Sequence, residues 1–168
     1  MAAMYAVYHG AEGLKNIARR ITLLTQTLAE QVEESGYELV NKNYFDTSTF
    51  KTNNAEKIKI ISQKHEMNFH FPSENLITIS LDETTTQSDV LDILSVFDSA
   101  KDIDTTAITF DSETDLENIP ASLQRTSAFL LHPVFNKYHS ETEMMRYLKF
   151  LENKDLSLTH SMIALGSC

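Results

Sequence analysis

Histidine, cysteine and carboxylate side chains are the groups of this chain that could ligate a metal, attack an electrophile or move a proton. Six histidines are present: His9, His65, His70, His132, His139 and His160. No two of them stand at the four-residue spacing of a helical zinc site, and none lies within four residues of the single cysteine, Cys168. Histidines so scattered read as packing or surface groups, and no metal is expected. A cysteine nucleophile wants a helix N-terminus or a neighbouring cation. Neither can be seen around Cys168, where the sequence stops, and it reads as an ordinary buried or cut-end cysteine. There is no Gly-rich phosphate loop, no Gly-x-Ser-x-Gly elbow and no recognisable pair of catalytic carboxylates. Tyr5, Tyr8 and His9 share a helical face and read as a core stripe, while Glu33 and Glu34 read as solvated charge.

The elements that would position these groups follow from periodicity. Gly10 and Gly13 interrupt a first helical run, and a second helix carries Leu14, Ile17, Ala18, Ile21, Leu24, Leu28 and Val32 on one face. Gly36 supplies a left-handed stop. Residues 37–40 and 44–51 read as a hairpin. Asn53 and Glu56 suggest a capping box for a helix reaching about Glu66, and Met67, Phe69 and Phe71 alternate as a strand. Residues 72–75 make a turn into a strand over 76–81, where Ile77, Ile79 and Leu81 share a face. Thr86 and Asp89 cap another helix, carried by Val90, Leu91, Leu94 and Phe97. The expected fold class is α+β, a long helix followed by β-β-α-β-β-α.

Composition shifts at Asp98. Residues 98–117 hold seven acidic side chains and one lysine, which reads as an exposed connector. Beyond it, Pro120 opens a short helix, and Ser140 with Glu143 caps a helix that turns Met144, Tyr147, Leu148 and Leu151 inward. The expected divisions are 1–99, an acidic connector over 100–119, and 120–168.

The formal charge of −10 disfavours phosphate backbones, so nucleic acid is not an expected partner. No apolar run approaches the roughly 20 residues of a membrane-spanning helix, so no membrane partner is expected either. The apolar residues Met4, Tyr5, Val7 and Tyr8 stand at one end, and Leu158, Met162, Ile163 and Leu165 at the other. Such ends read as cut from a longer polypeptide, and their bare surfaces predict self-association.

Three segments together carry a resemblance: residues 1–21, the stretch ISLDET at 79–84, and residues 130–168. The last holds His139-Ser140-Glu141-Thr142, Leu151-Glu152-Asn153-Lys154-Asp155 and Leu165-Gly166-Ser167-Cys168 in one order and spacing. On these motifs the chain resembles the P-protein family of the glycine cleavage system, the decarboxylating glycine dehydrogenases, and is similar to an internal fragment of it. The resemblance implies the small domain of a fold type I pyridoxal-phosphate enzyme in residues 1–99, ending the N-terminal half. It implies the opening of the C-terminal, catalytic half in residues 120–168.

The family implies decarboxylation of glycine, with the aminomethyl group passed to the lipoyl arm of H-protein. It also implies a homo-oligomer in the cytoplasm, or in the mitochondrial matrix of a eukaryote. The family's cofactor lysine stands in a His-Lys pair, and no His-Lys pair occurs in these residues. The chain alone is therefore expected to bind no pyridoxal phosphate, to hold no catalytic or cofactor-binding residue, and to be inactive. Gly166, Ser167 and Cys168, with Ser161 and His160 behind them, are the substrate-side candidates, holding the two halves together being the alternative role. A competing reading from another class is a free-standing α+β domain that binds a small molecule or regulates; a third is a scaffold using the acidic connector.

Overall fold

The computed structural model describes residues 1–104, 110, 115–116 and 118–162. The chain forms two compact units, one of Met1–Asn16 with the described residues from Thr126 onward, the other of Ile17–Arg125. This grouping follows contacts in space, and so differs from divisions drawn on composition along the chain.

The larger unit is an antiparallel sheet covered by helices. Helix α1 spans Ala2–Glu34, strands β1 and β2 span Glu38–Leu39 and Thr47–Lys51, and α2 spans Ala55–Lys64. Strands β3 and β4, His70–Ser73 and Leu76–Ser80, precede α3, Gln87–Lys101. The β-β-α-β-β-α order expected behind a long helix is what the chain forms. Strand order is β1-β2-β4-β3, with Phe50 opposite Ile77 and Ser48 opposite Ile79. Period-two alternation in β2 and β4 sends Phe50, Ile77 and Ile79 to the covered face. Leu24, Leu28 and Val32 of α1, Ile58 of α2, and Val90, Leu94 and Phe97 of α3 close over them. Each such large side chain taken from water contributes roughly 1.5–3 kcal/mol before chain entropy is counted. Phe97 sits at the centre, its ring 5.1 Å from Tyr37 and 5.6 Å from Phe50, both edge-on.

The helix ends show which local signals act. Gly36, at φ 80°, ends α1 in a left-handed cap: its N–H donates to the Glu33 carbonyl, and the Tyr37 N–H donates to that of Val32. Thr86 and Asp89 form the expected reciprocal capping box. Asn53 and Glu56 do not. The N-cap position of α2 falls one residue later, at Asn54, whose N–H donates to the Thr52 hydroxyl and whose side chain caps nothing. Strand β3 lies later than the alternation of 67–71 suggested and includes Pro72 and Ser73, leaving a turn at Glu74 and Asn75.

Helix α3 also runs further than expected, through Asp98 and Ala100, both buried. Asp98 is not solvated connector charge, because its carboxylate accepts the Ser35 hydroxyl at 2.7 Å. Most of the remaining connector lies outside the described residues, although Phe110 packs against the core.

In the smaller unit, 3-10 turns at Pro133–Asn136 precede helix α4, Glu141–Glu152. The Ser140 hydroxyl accepts the Glu143 N–H, as the sequence predicts, and Met144, Tyr147 and Leu151 are half-buried. Leu148 is not turned inward: it is exposed, as are Met145 and Phe150.

Candidate functional site

The smaller unit is organised around one break in a helix. All of α1 has helical dihedrals except Gly10, at φ 63° and ψ −173°, a combination open in practice only to glycine. Gly13, which the sequence also marks as a break, stays helical. A side chain at Gly10 is excluded a second time by space. A Cβ would lie 2.8 Å from the Phe135 carbonyl oxygen and 2.8 Å from the His139 ring. The His139 Nδ1 stands 2.7 Å from the Tyr8 carbonyl oxygen. A carbonyl only accepts, so Nδ1 carries the proton and His139 donates across the break.

Side chains around the break form a cleft of about 610 Å³. Its walls include Tyr8, His9, Lys15, Phe129, Leu130 and His139. The His9 ring is fixed by Tyr5, 4.3 Å away, and by an edge contact with Tyr8 at 5.1 Å. The Lys15 ammonium is 2.8 Å from the Glu12 carboxylate and 5.9 Å from the centre of the Phe129 ring. Leu130 holds a left-handed backbone at φ 55°, a second unfavourable dihedral on the same cleft. The cleft thus offers two imidazoles, a Lys–Glu ion pair and an apolar wall. That set can seat a small amphipathic group. It contains no nucleophile paired with a base, and among the described residues no three His, Cys, Asp or Glu side chains gather to hold a metal.

The sequence motif at 79–84 has a structural account in the other unit. The Asp82 carboxylate accepts the Thr84 N–H at 2.8 Å, the Thr84 hydroxyl at 2.7 Å and the Thr85 N–H at 3.2 Å. The Thr84 bonds, with those of Thr85, hold its pKa below the ordinary carboxylate value. Arg20 of α1 donates to the Glu83 and Thr85 carbonyls at 3.0 and 2.5 Å, fixing the loop that feeds α3.

The substrate-side candidates divide. His160 and Ser161 are exposed and line no part of the Gly10 cleft. The His160 N–H closes a turn on the Ser157 carbonyl at 3.4 Å. Gly166, Ser167 and Cys168 lie outside the described residues. The cleft itself was missed by sequence reasoning, since Tyr8 and His139 are 131 residues apart. The signal that could have found it is the motif containing His139.

The described residues do not fit pyridoxal phosphate. Every lysine is exposed except Lys101, which is half-buried. The Lys101 ammonium is committed to the Ser35 and Gly36 carbonyls at 2.6 and 2.7 Å. A lysine available to form an imine at the base of an enclosed pocket is absent among them.

Comparison with known proteins accounts for the motifs. A family model described as the glycine cleavage system P-protein matches residues 1–97. The chain is 48% identical to a glycine dehydrogenase (decarboxylating) of Flavobacterium johnsoniae over 168 residues, all of this chain and 17% of that protein. It is equally similar, at 48%, to the protein of that name in Christiangramia forsetii, again over all of this chain and 17% of the relative. The relative in Shewanella halifaxensis is 49% identical, with all of this chain and 18% of that protein covered. The chain therefore spans less than a fifth of the length of these relatives. With the P-protein model covering more than half of the chain, and the likeness running through the Gly10 break, the 79–84 loop and helix α4, the chain belongs to the glycine cleavage system P-protein family.

Proposed function

We propose that these 168 residues serve within a pyridoxal-phosphate-dependent glycine decarboxylase of fold type I. In this reading residues 1–99 are the small domain that ends the N-terminal half, 100–119 the connector, and 120–168 the opening of the catalytic half. The whole enzyme releases the carboxylate of glycine as carbon dioxide and passes the aminomethyl group to the lipoyl arm of H-protein. It works as a homo-oligomer in the cytoplasm. The observation that carries this reading is the 48% identity extending over the entire chain.

The part played by this stretch is scaffolding. The Arg20-fixed loop and the Phe97 core hold the small domain, and the Gly10 cleft joins the first helical turns to the segment before α4. Gly166, Ser167 and Cys168, supported by His160 and Ser161, stand on the substrate side of the whole enzyme. The chain alone does not catalyse, since it lacks the His-Lys pair of the family.

A chimera tests this. The aligned stretch of the Flavobacterium johnsoniae enzyme is replaced by these 168 residues, and exchange of bicarbonate with the glycine carboxyl is measured with H-protein and pyridoxal phosphate. The chimera is expected to exchange label and the isolated chain to give none. A folded chimera without exchange overturns the assignment; exchange by the isolated chain overturns its inactivity.

A further inference from the structure

We infer that Asp115 and Asn118 are the attachment points of a latch within the larger unit, held by Gln26 and Tyr44 and opposed by like charge, so that ionic strength sets how much of it is attached. The inference takes no residue role from the relatives and stands apart from the enzyme assignment.

The attachment is made of three bonds. The Tyr44 N–H donates to the Asn118 carbonyl at 3.4 Å, and the Asn118 Nδ2 donates back to the Tyr44 carbonyl at 3.1 Å. Gln26 of α1 donates to the Asp115 carbonyl at 3.3 Å. Leu116, Ile119 and Pro120 are half-buried, which adds apolar contact to the hold. The loop that receives Asn118 is built without it. Asn41 donates to the Thr47 carbonyl at 2.9 Å and accepts the Thr49 N–H at 2.7 Å. Tyr44 therefore keeps its place when Asn118 leaves, and release does not require the sheet to melt.

Two features oppose the closed state. The bonds are longer than the roughly 2.9–3.0 Å of an ordinary N–H···O contact. Asn118 is only 5% exposed, yet its Oδ1 takes no hydrogen bond from any described residue, a loss that water would make good on release. Charge acts in the same direction. Gln26 also donates to the Glu30 carboxylate, which brings that side chain near the Asp115 attachment. Glu30 and Glu33 stand close enough to Tyr44 to raise its pKa, after burial. Residues 98–117 carry seven acidic side chains against one lysine. The smaller unit has five basic and five acidic side chains, so the whole formal charge of −10 belongs to the larger. Repulsion between exposed carboxylates reaches about 30 Å at 0.01 M salt and about 8 Å at 0.15 M, so salt favours closure.

Hydrogen exchange of the Tyr44 amide reads the latch directly, since its hydrogen goes to Asn118. Protection of Tyr44 is expected to rise at least ~5-fold from 0.01 to 0.3 M sodium chloride, while that of the paired Phe50 and Ile77 changes little. Glu30→Gln with Glu33→Gln leaves Gln26 an acceptor, and is expected to raise Tyr44 protection at low salt and remove most of the salt response. Asn118→Ala is expected to lower Tyr44 protection ~10-fold and spare Phe50 and Ile77. Should that variant unfold, the double variant decides. Tyr44 exchanging in step with Phe50 and Ile77 at every salt concentration would show that no separate latch exists. A Tyr44 amide indifferent to salt, or a salt response that survives the double variant, overturns the role of charge and with it the proposal. So does a parent chain without protection at Phe50 and Ile77, since the unit that carries the latch would then not form.

Discussion

The ammonium of Lys101 lies 4.1 Å from the centre of the Tyr37 ring. From that position it also donates to the carbonyls of Ser35 and Gly36 at 2.6 and 2.7 Å. The last turn of α3 thereby caps the end of α1, placing a cation where the α1 dipole is negative. Lys101→Met is expected to lower stability by about 1 kcal/mol, read as a shift in urea midpoint at constant slope. An unchanged midpoint would show that the contact carries no net energy.

The Tyr37 hydroxyl, just beneath, donates to the Phe97 carbonyl at 2.8 Å. Burial, and then the charge of Asp98, push its pKa from 10.0 up to about 12. A phenol whose pKa rises on folding contributes stability that is fully present below pH 10 and is lost as pH rises toward 12. The protein should therefore weaken on that alkaline limb. Tyr44, raised to about 12 by burial and then by Glu30 and Glu33, contributes in the same sense. Tyr37→Phe is expected to flatten part of the limb while costing about 1 kcal/mol at neutral pH. A limb of unchanged steepness in the variant would refute this origin.

Acid acts through a different set. Hydrogen bonds from Thr84, and then Thr85, lower the pKa of Asp82, and those from Thr86 lower that of Asp89. Hydrogen bonds from Lys149, and then from Thr159 and Ser157, lower Glu152 from 4.5 to about 2. Carboxylates lowered on folding give stability that is present above their unfolded pKa and lost as pH falls through the folded value. Carboxyl chemical shifts followed from pH 6 to pH 2 should show these three titrating below the ordinary values of Asp and Glu. Asp82→Asn should remove the corresponding part of the acid limb. Ordinary titration of all three would contradict the hydrogen bonds described.

Gly10→Ala meets both a glycine-only backbone and two contacts of 2.8 Å. It should cost about 1–3 kcal/mol and act locally. Exchange protection around 126–140 is expected to fall, while the Ile17–Arg125 unit keeps its melting midpoint. A variant with undiminished protection would mean that the break is not required there.

What the sequence made legible was local. The Thr86–Asp89 box and the Gly36 stop depend on residues within a few positions of one another, and both formed. The alternation in 76–81 fixed which face Ile77 and Ile79 cover. The misreadings share a cause in distant partners. Asp98 looks like solvated charge until Ser35, 63 residues away, is placed beside it. Gly10 and Gly13 look alike in sequence, and Phe135 with His139 selects Gly10 as the break. The cleft was illegible for the same reason, its two sides meeting across 131 residues. Leu148 was assigned inward because periodicity shows that a face is apolar but not what lies against it.

Strand β3 is an edge strand that includes Pro72, and its pairing with β4 is irregular between His70 and Ser73. The opposite edge, β1, is two residues long. Pro72 has no N–H to offer an incoming chain, and a two-residue strand presents too short a ladder to template one. Both margins of the sheet are thus blunted as templates for a neighbour's backbone, which disfavours edge-to-edge pairing and strand exchange there.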